Sequence, residues 1–174
     1  MKDIEVTIHH KLDHNLSKNE LHQIFLVYDE CFYNGQVCSA KQILLAKKWL
    51  GKSKTWHWFF AKNAKNGKVV GIAAYCYSYK NAQYFEIRPD RNENICSVGV
   101  LPKFRKMGIG RLLMEAIISY YGSKNDLVVE IKSDNRYEAV LLKFYQSLGF
   151  RELSVEPKST FLILYQSNVN ESST

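Results

Sequence analysis

The chain has 174 residues, 46% of them hydrophobic and 24% charged, and a formal net charge of +7. That length suits one domain that buries a full core without disulfide or metal staples, and the composition excludes disordered and collagen-like classes. The start, MKDIEVTIHHKLDH, is charged early, and no apolar run approaches the ~18 residues of a membrane span, so neither a signal peptide nor a membrane anchor is expected.

Residues 3 to 10 alternate Ile4, Val6 and Ile8 against polar neighbours, the period of a half-buried strand. His9, His10 and His14 have no carboxylate or cysteine at ligand spacing and read as surface histidines, so no metal site is expected. Ser17 to Glu20 has the form of a capping box, and Leu21, Ile24, Phe25, Tyr28, Cys31 and Phe32 recur at helical spacing. A helix over 18–33 follows, ended by Asn34-Gly35. Ser39 to Gln42 repeats the capping form ahead of Ile43, Ala46 and Leu50, which predicts a shorter second helix. Its lysines (Lys41, Lys47, Lys48) and Lys52 and Lys54 beyond it read as a solvated basic face.

Residues 55–62 and 68–79 are aromatic and β-branched runs separated by Asn66-Gly67, which predicts a tight hairpin. Tyr75, Tyr77 and Tyr79 share one side of the second strand. Residues 80–94 are irregular around Arg88-Pro89-Asp90 and long for a hairpin connection, a candidate functional loop. A central strand over 95–101 leads through Pro102 into a helix carrying Ile109, Leu112, Leu113, Ala116, Ile117 and Tyr120. Residues 127–131, LVVEI, are nearly all apolar, as in a strand with both sheet faces covered. A right-handed crossover makes strands 95–101 and 127–132 parallel neighbours. A last helix carries Tyr137, Leu141, Phe144, Tyr145 and Leu148 before Gly149-Phe150, and strands over 150–154 and 159–165 surround Pro157. The polar tail, 167–174, is expected to be disordered. There is no internal repeat, so residues 1–166 are expected to form a single domain.

The cysteines, Cys31, Cys38, Cys76 and Cys96, show no Cys-x-x-Cys pairing, the pattern of reduced thiols in a cytoplasmic protein. The positive charge requires anionic company: nucleic acid, an acidic membrane or a polyanionic cofactor. It concentrates in Arg105, Lys106 and Arg111, which surround Gly108 and Gly110 with no acid among them. Glycine-rich backbone at a helix start presents N–H groups to an anion. A nucleoside-triphosphate loop requires Lys-Ser/Thr behind the second glycine, and a dinucleotide fingerprint requires a third glycine; Arg111-Leu112-Leu113 supplies neither.

The remaining pattern, Arg105-Lys106-Met107-Gly108-Ile109-Gly110 after Val98-x-Val100-x-Pro102, resembles the coenzyme A pyrophosphate loop of GNAT N-acetyltransferases, Gln/Arg-x-x-Gly-x-Gly/Ala. The segment from Leu142 to Phe150 is similar to that family's Phe/Leu-Tyr-x-x-x-Gly-Phe, and the element order over residues 3–165 is similar too. The resemblance implies an α/β (α+β) fold, the GNAT fold, a mixed central sheet of six to seven strands flanked by about four helices. It implies acetyl transfer from acetyl-CoA, as cosubstrate, to an amine of a small molecule or protein, by direct attack in a ternary complex.

On that resemblance, Arg105, Lys106, Met107, Gly108, Ile109, Gly110 and Arg111 cradle pyrophosphate. Val98, Gly99 and Val100 pair with the pantetheine arm and polarise the thioester carbonyl. Tyr145 is the general acid for the departing thiolate. Glu93 is the candidate base for the amine, with Glu86, Glu130 and a water chain as alternatives. Where the family often carries Asn seven residues before the tyrosine, this chain has Glu138, and Asn135 is expected to cap the helix with Glu138 completing the box. Monomer and homodimer both remain open. Two other readings compete: a basic nucleic-acid-binding domain, although no zinc-finger or RRM signature is present, and a GNAT fold that binds CoA without catalysis.

Overall fold

The computed structural model describes residues 5–12, 15–32, 56–77, 92–121, 126–132, 137–157 and 159–165. The predicted helix over 39–50, the loop with Glu86, Asn135, His14 and the tail lie outside them. Seven strands and three α-helices are described, in two compact units: residues 1–76 with 96–117, and residues 77–95 with 118–174.

In the first unit, β1 (Val6–Leu12) runs antiparallel to β2 (His57–Asn63), with Val6 opposite Asn63 and Leu12 opposite His57. β3 (Val69–Tyr77) is antiparallel to β2, His57 facing Tyr75. Beyond the end of β4 (Asn92–Val100), Leu101 N–H donates to Val70 O at 3.0 Å. The helix α1 (Lys18–Phe32) lays Leu21, Ile24 and Val27 against Trp58, Phe60, Ile72 and Ala74. Each such side chain removed from water contributes roughly 1.5–3 kcal/mol.

The start of α1 forms as its sequence predicts. Glu20 N–H donates to Ser17 Oγ at 3.2 Å, and Ser17 N–H donates back to Glu20 Oε2 at 3.1 Å. The same carboxylate takes Lys11 Nζ at 2.9 Å and Lys62 Nζ at 3.1 Å, so the helix cap also ties α1 to β1 and β2. Burial by itself raises the Glu20 pKa, but Lys11, the Ser17 N–H, Lys62 and the Ser17 hydroxyl outweigh it and hold the carboxyl at about 2, against an ordinary 4.5. The folded chain therefore binds fewer protons there than the unfolded chain. The stabilisation is complete above pH 4.5 and is lost as pH falls from 4.5 through about 2. Glu20→Gln is expected to cost about 2 kcal/mol at pH 7 and to flatten the acid limb of a denaturant-stability profile.

Two expectations in this unit are corrected. His9 and His10 are not plain surface residues: His9 stacks on Phe60 at 5.4 Å, and His10 Nε2 lies 3.1 Å from His57 Nδ1 with ring planes 6° apart. That nearly coplanar approach is an N–H···N hydrogen bond across β1 and β2, one ring donating and the other accepting. Burial lowers the pKa of His10, which keeps the pair from double protonation. The turn at Asn66-Gly67 is also wider than a two-residue hairpin. Gly67, at φ +66°, donates to Asn63 O at 2.8 Å, and Asn63 N–H donates to Lys68 O at 2.9 Å, closing a connection over residues 64–67.

In the second unit, the first residues of β4 run parallel to β5 (Asp126–Lys132), from Asn92 opposite Asp126 to Ile95 opposite Val129. β7 (Ser159–Leu164) is antiparallel to β5, and β6 (Arg151–Glu156) is antiparallel to β7. The pairings are therefore mixed, as expected, and the predicted parallel neighbours are neighbours. β4 begins at Asn92, so Glu93 lies inside the strand opposite Leu127 and not ahead of it.

The last helix in the described residues, α3 (Glu138–Gln146), has Tyr137 at its N-cap with no side-chain cap hydrogen bond, and the expected box with Asn135 lies outside the described residues. Its other end is better defined. Phe150 N–H donates to Tyr145 O at 3.1 Å, Gly149 N–H donates to Gln146 O at 3.0 Å, and Gly149 adopts φ +93°. This is a Schellman motif, which places an apolar residue after the glycine against the helix. Tyr145 and Phe150 make that contact, ring to ring at 5.5 Å.

Candidate functional site

The glycine-rich turn follows β4 in the first unit. Pro102, with its fixed φ, starts a 3-10 turn over Pro102–Phe104. Phe104 N–H donates to Leu101 O at 2.8 Å and Arg105 N–H donates to Pro102 O at 3.2 Å. Lys106 then takes φ +61° and Gly108 φ +79°. A left-handed lysine costs roughly 1–2 kcal/mol, which surrounding structure must offset. Alternating left- and right-handed residues turn successive N–H groups toward one concavity suited to an anion.

The helix α2 (Ile109–Tyr121) begins there, its first bond running from Leu112 N–H to Gly108 O at 3.0 Å. The N–H groups of Ile109, Gly110 and Arg111 thus occupy the first turn, where the helix end carries partial positive charge. Two buried side chains, Ile109 and Leu113, seat the helix on β3 at Gly71. A Cβ added to Gly71 would lie 3.0 Å from Ile109 Cγ2 and 3.2 Å from Leu113 Cδ1. Gly108 differs, because a Cβ there would meet nothing within 4 Å. One face of the turn is thus packed and the other open.

The open side is cationic. Lys103, Arg105, Lys106 and Arg111 are exposed, as is Met107. Lys103 Nζ lies 5.1 Å over the Phe104 ring, and Arg111 pairs weakly with Glu115 at 3.7 Å on the exposed face of α2. Among the described residues, no group of three or more His, Cys, Asp or Glu is arranged to hold a metal ion. No described helix is long and apolar enough to cross a membrane.

The residues expected to form the cradle, 105–111, and Val98 to Val100 at the end of β4 lie in one unit. Tyr145, in the other, is only 5% exposed, with edge-on rings at Phe144 (5.1 Å) and Phe150 (5.5 Å), and burial pushes its phenol pKa up. Glu130, on the exposed side of β5, accepts a hydrogen bond from Ser159 Oγ at 2.7 Å. Sequence reasoning missed Gly71 and the contact of Cys31 with Gly99, where an added Cβ would lie 3.0 Å from the cysteine Cβ. A glycine inside the β-branched run VVGIAA is the available signal for Gly71, since a strand interior tolerates glycine where another element approaches closely.

The model of the acetyltransferase (GNAT) domain family matches residues 54–152, more than half of the chain and the whole of the turn. The chain belongs to the GNAT family. No curated protein sequence matches it. Solved structures of GNAT proteins share the fold at low identity. The ribosomal-protein-S18-alanine N-acetyltransferase of Escherichia coli is 16% identical, with a TM-score of 0.64 covering 98% of this chain and 99% of that one. Campylobacter jejuni PseH in complex with acetyl coenzyme A is 19% identical, with a TM-score of 0.63 over 92% of this chain and 100% of that one. An acyl-CoA N-acyltransferase from Pseudomonas aeruginosa is 15% identical, with a TM-score of 0.66 and the same two coverages, 92% and 100%. At these identities the likeness establishes the GNAT fold and leaves the acceptor open.

Proposed function

We propose that this GNAT protein transfers an acetyl group from acetyl-CoA to a primary amine by direct attack in a ternary complex. The observation that carries the reading is the turn itself: left-handed Lys106 and Gly108 at a helix start, open on one side and flanked by exposed Lys103, Lys106 and Arg111. Its N–H groups suit a pyrophosphate, and Lys106 and Arg111 add charge-assisted contacts. Backbone at Val98 to Val100 pairs with the amides of the pantetheine arm, and an N–H there polarises the thioester carbonyl as its oxygen gains charge.

The amine nitrogen bonds to the carbonyl carbon, the tetrahedral intermediate collapses, and the carbon–sulfur bond breaks. Tyr145, on the acid side of the reaction, donates to the departing sulfur a hydrogen bond that strengthens as the carbon–sulfur bond breaks, and the thiolate that leaves takes its proton from solvent. The amine loses its extra proton to Glu93 or Glu130, or through water.

Two measurements on the full chain test this. Titration calorimetry is expected to give an acetyl-CoA dissociation constant in roughly the micromolar range that weakens with salt. A thiol-release screen over amines, amino acids, aminoglycosides and peptide N-termini is expected to find an acceptor. Peptide N-termini belong in that panel because one solved GNAT structure is named for acetylating an alanine of a ribosomal protein. Absence of acetyl-CoA binding near millimolar concentration sinks the proposal. Binding without thiol release from any acceptor leaves a CoA-binding protein and removes the catalytic part.

A further inference from the structure

The sequence places Arg105 among the cations that face an anion, yet its side chain turns toward the protein. Arg105 Nε donates to the carbonyl of Val100, the last residue of β4, at 2.9 Å. The same side chain also acts on Cys31 near the end of α1, where burial raises the thiol pKa and Arg105 opposes that rise. Cys31 in turn lies against Gly99, whose added Cβ would come within 3.1 Å of the cysteine Sγ. One side chain thus joins the end of β4, the end of α1 and the start of the turn. Directly after it comes Lys106, whose left-handed backbone must be held by its surroundings.

We infer that Arg105 is a positioning residue: its Nε–H latches the 102–108 turn to the end of β4, and the position requires a donor at that atom rather than a positive charge. The chemistry of side chains makes the distinction sharp. Arginine Nε is bonded to Cδ, and so is Nε2 of glutamine, which therefore carries an N–H donor the same number of bonds from the backbone. Lysine keeps the charge but has a methylene at that atom and its only nitrogen one bond further out.

The consequence for acetyl-CoA rests on the function proposed above, so the test has a readout on the ligand-free protein as well. Amide hydrogen exchange is followed at residues 104 and 105, whose N–H groups bond Leu101 O at 2.8 Å and Pro102 O at 3.2 Å. Acetyl-CoA affinity is measured by calorimetry on the same full-length samples of R105Q, R105K and R105M. R105Q is expected to keep both quantities within about threefold of the unsubstituted chain. R105K and R105M are expected to exchange about tenfold faster and to bind about tenfold more weakly.

If R105K matches the unsubstituted chain while R105Q behaves like R105M, charge is what the position supplies and the latch is wrong. Exchange unaltered in all three variants also overturns it. Should R105M fail to fold, R105Q against R105K still decides. If the unsubstituted chain binds no acetyl-CoA, the proposed function falls, and the order of exchange rates still judges the latch.

Discussion

Tyr145→Phe lowers turnover about 100-fold and leaves the acetyl-CoA dissociation constant within about twofold, if the phenol serves the departing thiolate. The substitution is a clean probe because the ring is what the protein packs: Phe144 and Phe150 meet it edge-on at 5.1 and 5.5 Å, and phenylalanine keeps both contacts. Stability is therefore expected to change by less than about 1 kcal/mol. Burial pushes the phenol above its ordinary pKa, so it stays protonated throughout the working range, and its titration adds no alkaline loss of activity near neutral pH. The same shift limits the effect. A phenol above about 10 is a weaker acid than a thiol near 8.5, so complete transfer to a formed thiolate is unfavourable. The catalytic contribution then lies in the hydrogen bond that strengthens as the carbon–sulfur bond breaks, which argues for the lower end of the roughly 10²–10⁴-fold range for such groups. Initial-rate kinetics with saturating acceptor check this, and equal turnover in the two proteins returns Tyr145 to a packing role.

The packing role is real in either case, and it explains why the motif was legible. Tyr-x-x-x-Gly-Phe has the spacing of a Schellman motif, with tyrosine and phenylalanine as its apolar pair and Gly149 at φ +93°. A pattern that encodes backbone geometry survives as a local signal. So does Ser17-x-x-Glu20, whose reciprocal hydrogen bonds form as the residue types require. Contacts between distant segments leave weaker traces. Nothing near Glu20 announces that Lys11 and Lys62 converge on it, and nothing near Arg105 announces that its Nε turns back to Val100.

Local patterns also mislead where pairing decides. Asn66-Gly67 signals a two-residue turn, but the register at Asn63 and Lys68 widens it. Asn92 and Glu93 read as loop because they are polar, and they join β4 because β5 supplies parallel partners at Asp126 and Leu127. Polar residues at a strand end are excluded by propensity and admitted by a neighbour.

Gly71→Val is expected to lower stability by about 2 kcal/mol and weaken acetyl-CoA binding at least about tenfold, although the residue lies on β3 and not in the turn. A Cβ at Gly71 would sit 3.0 Å from Ile109 Cγ2, 3.2 Å from Leu113 Cδ1 and 3.4 Å from Val100 Cγ2. Ile109 and Leu113 are 2% and 0% exposed, so neither has solvent to retreat into. Overpacking of this kind costs roughly 1–3 kcal/mol, and valine, which adds two methyl groups beyond the Cβ against side chains that are fully buried, falls at the upper end, about 3 kcal/mol. Strand propensity and the reduced freedom of the unfolded chain return about 1 kcal/mol, which leaves the net loss near 2. Gly71→Ala asks its neighbours to give only a few tenths of an ångström and is expected to be nearly neutral. The functional loss follows because Ile109 is the first residue of α2: pushing it off β3 displaces the N–H groups of residues 109–111. Ile109→Ala removes the contacting Cγ2 and by itself costs roughly 2–4 kcal/mol through a cavity. Combined with Gly71→Val it fills that cavity, so the double variant should be more stable than the sum of the single changes and should regain affinity. Denaturant unfolding and calorimetry measure both quantities. Strictly additive losses would show that Gly71 does not govern where α2 begins.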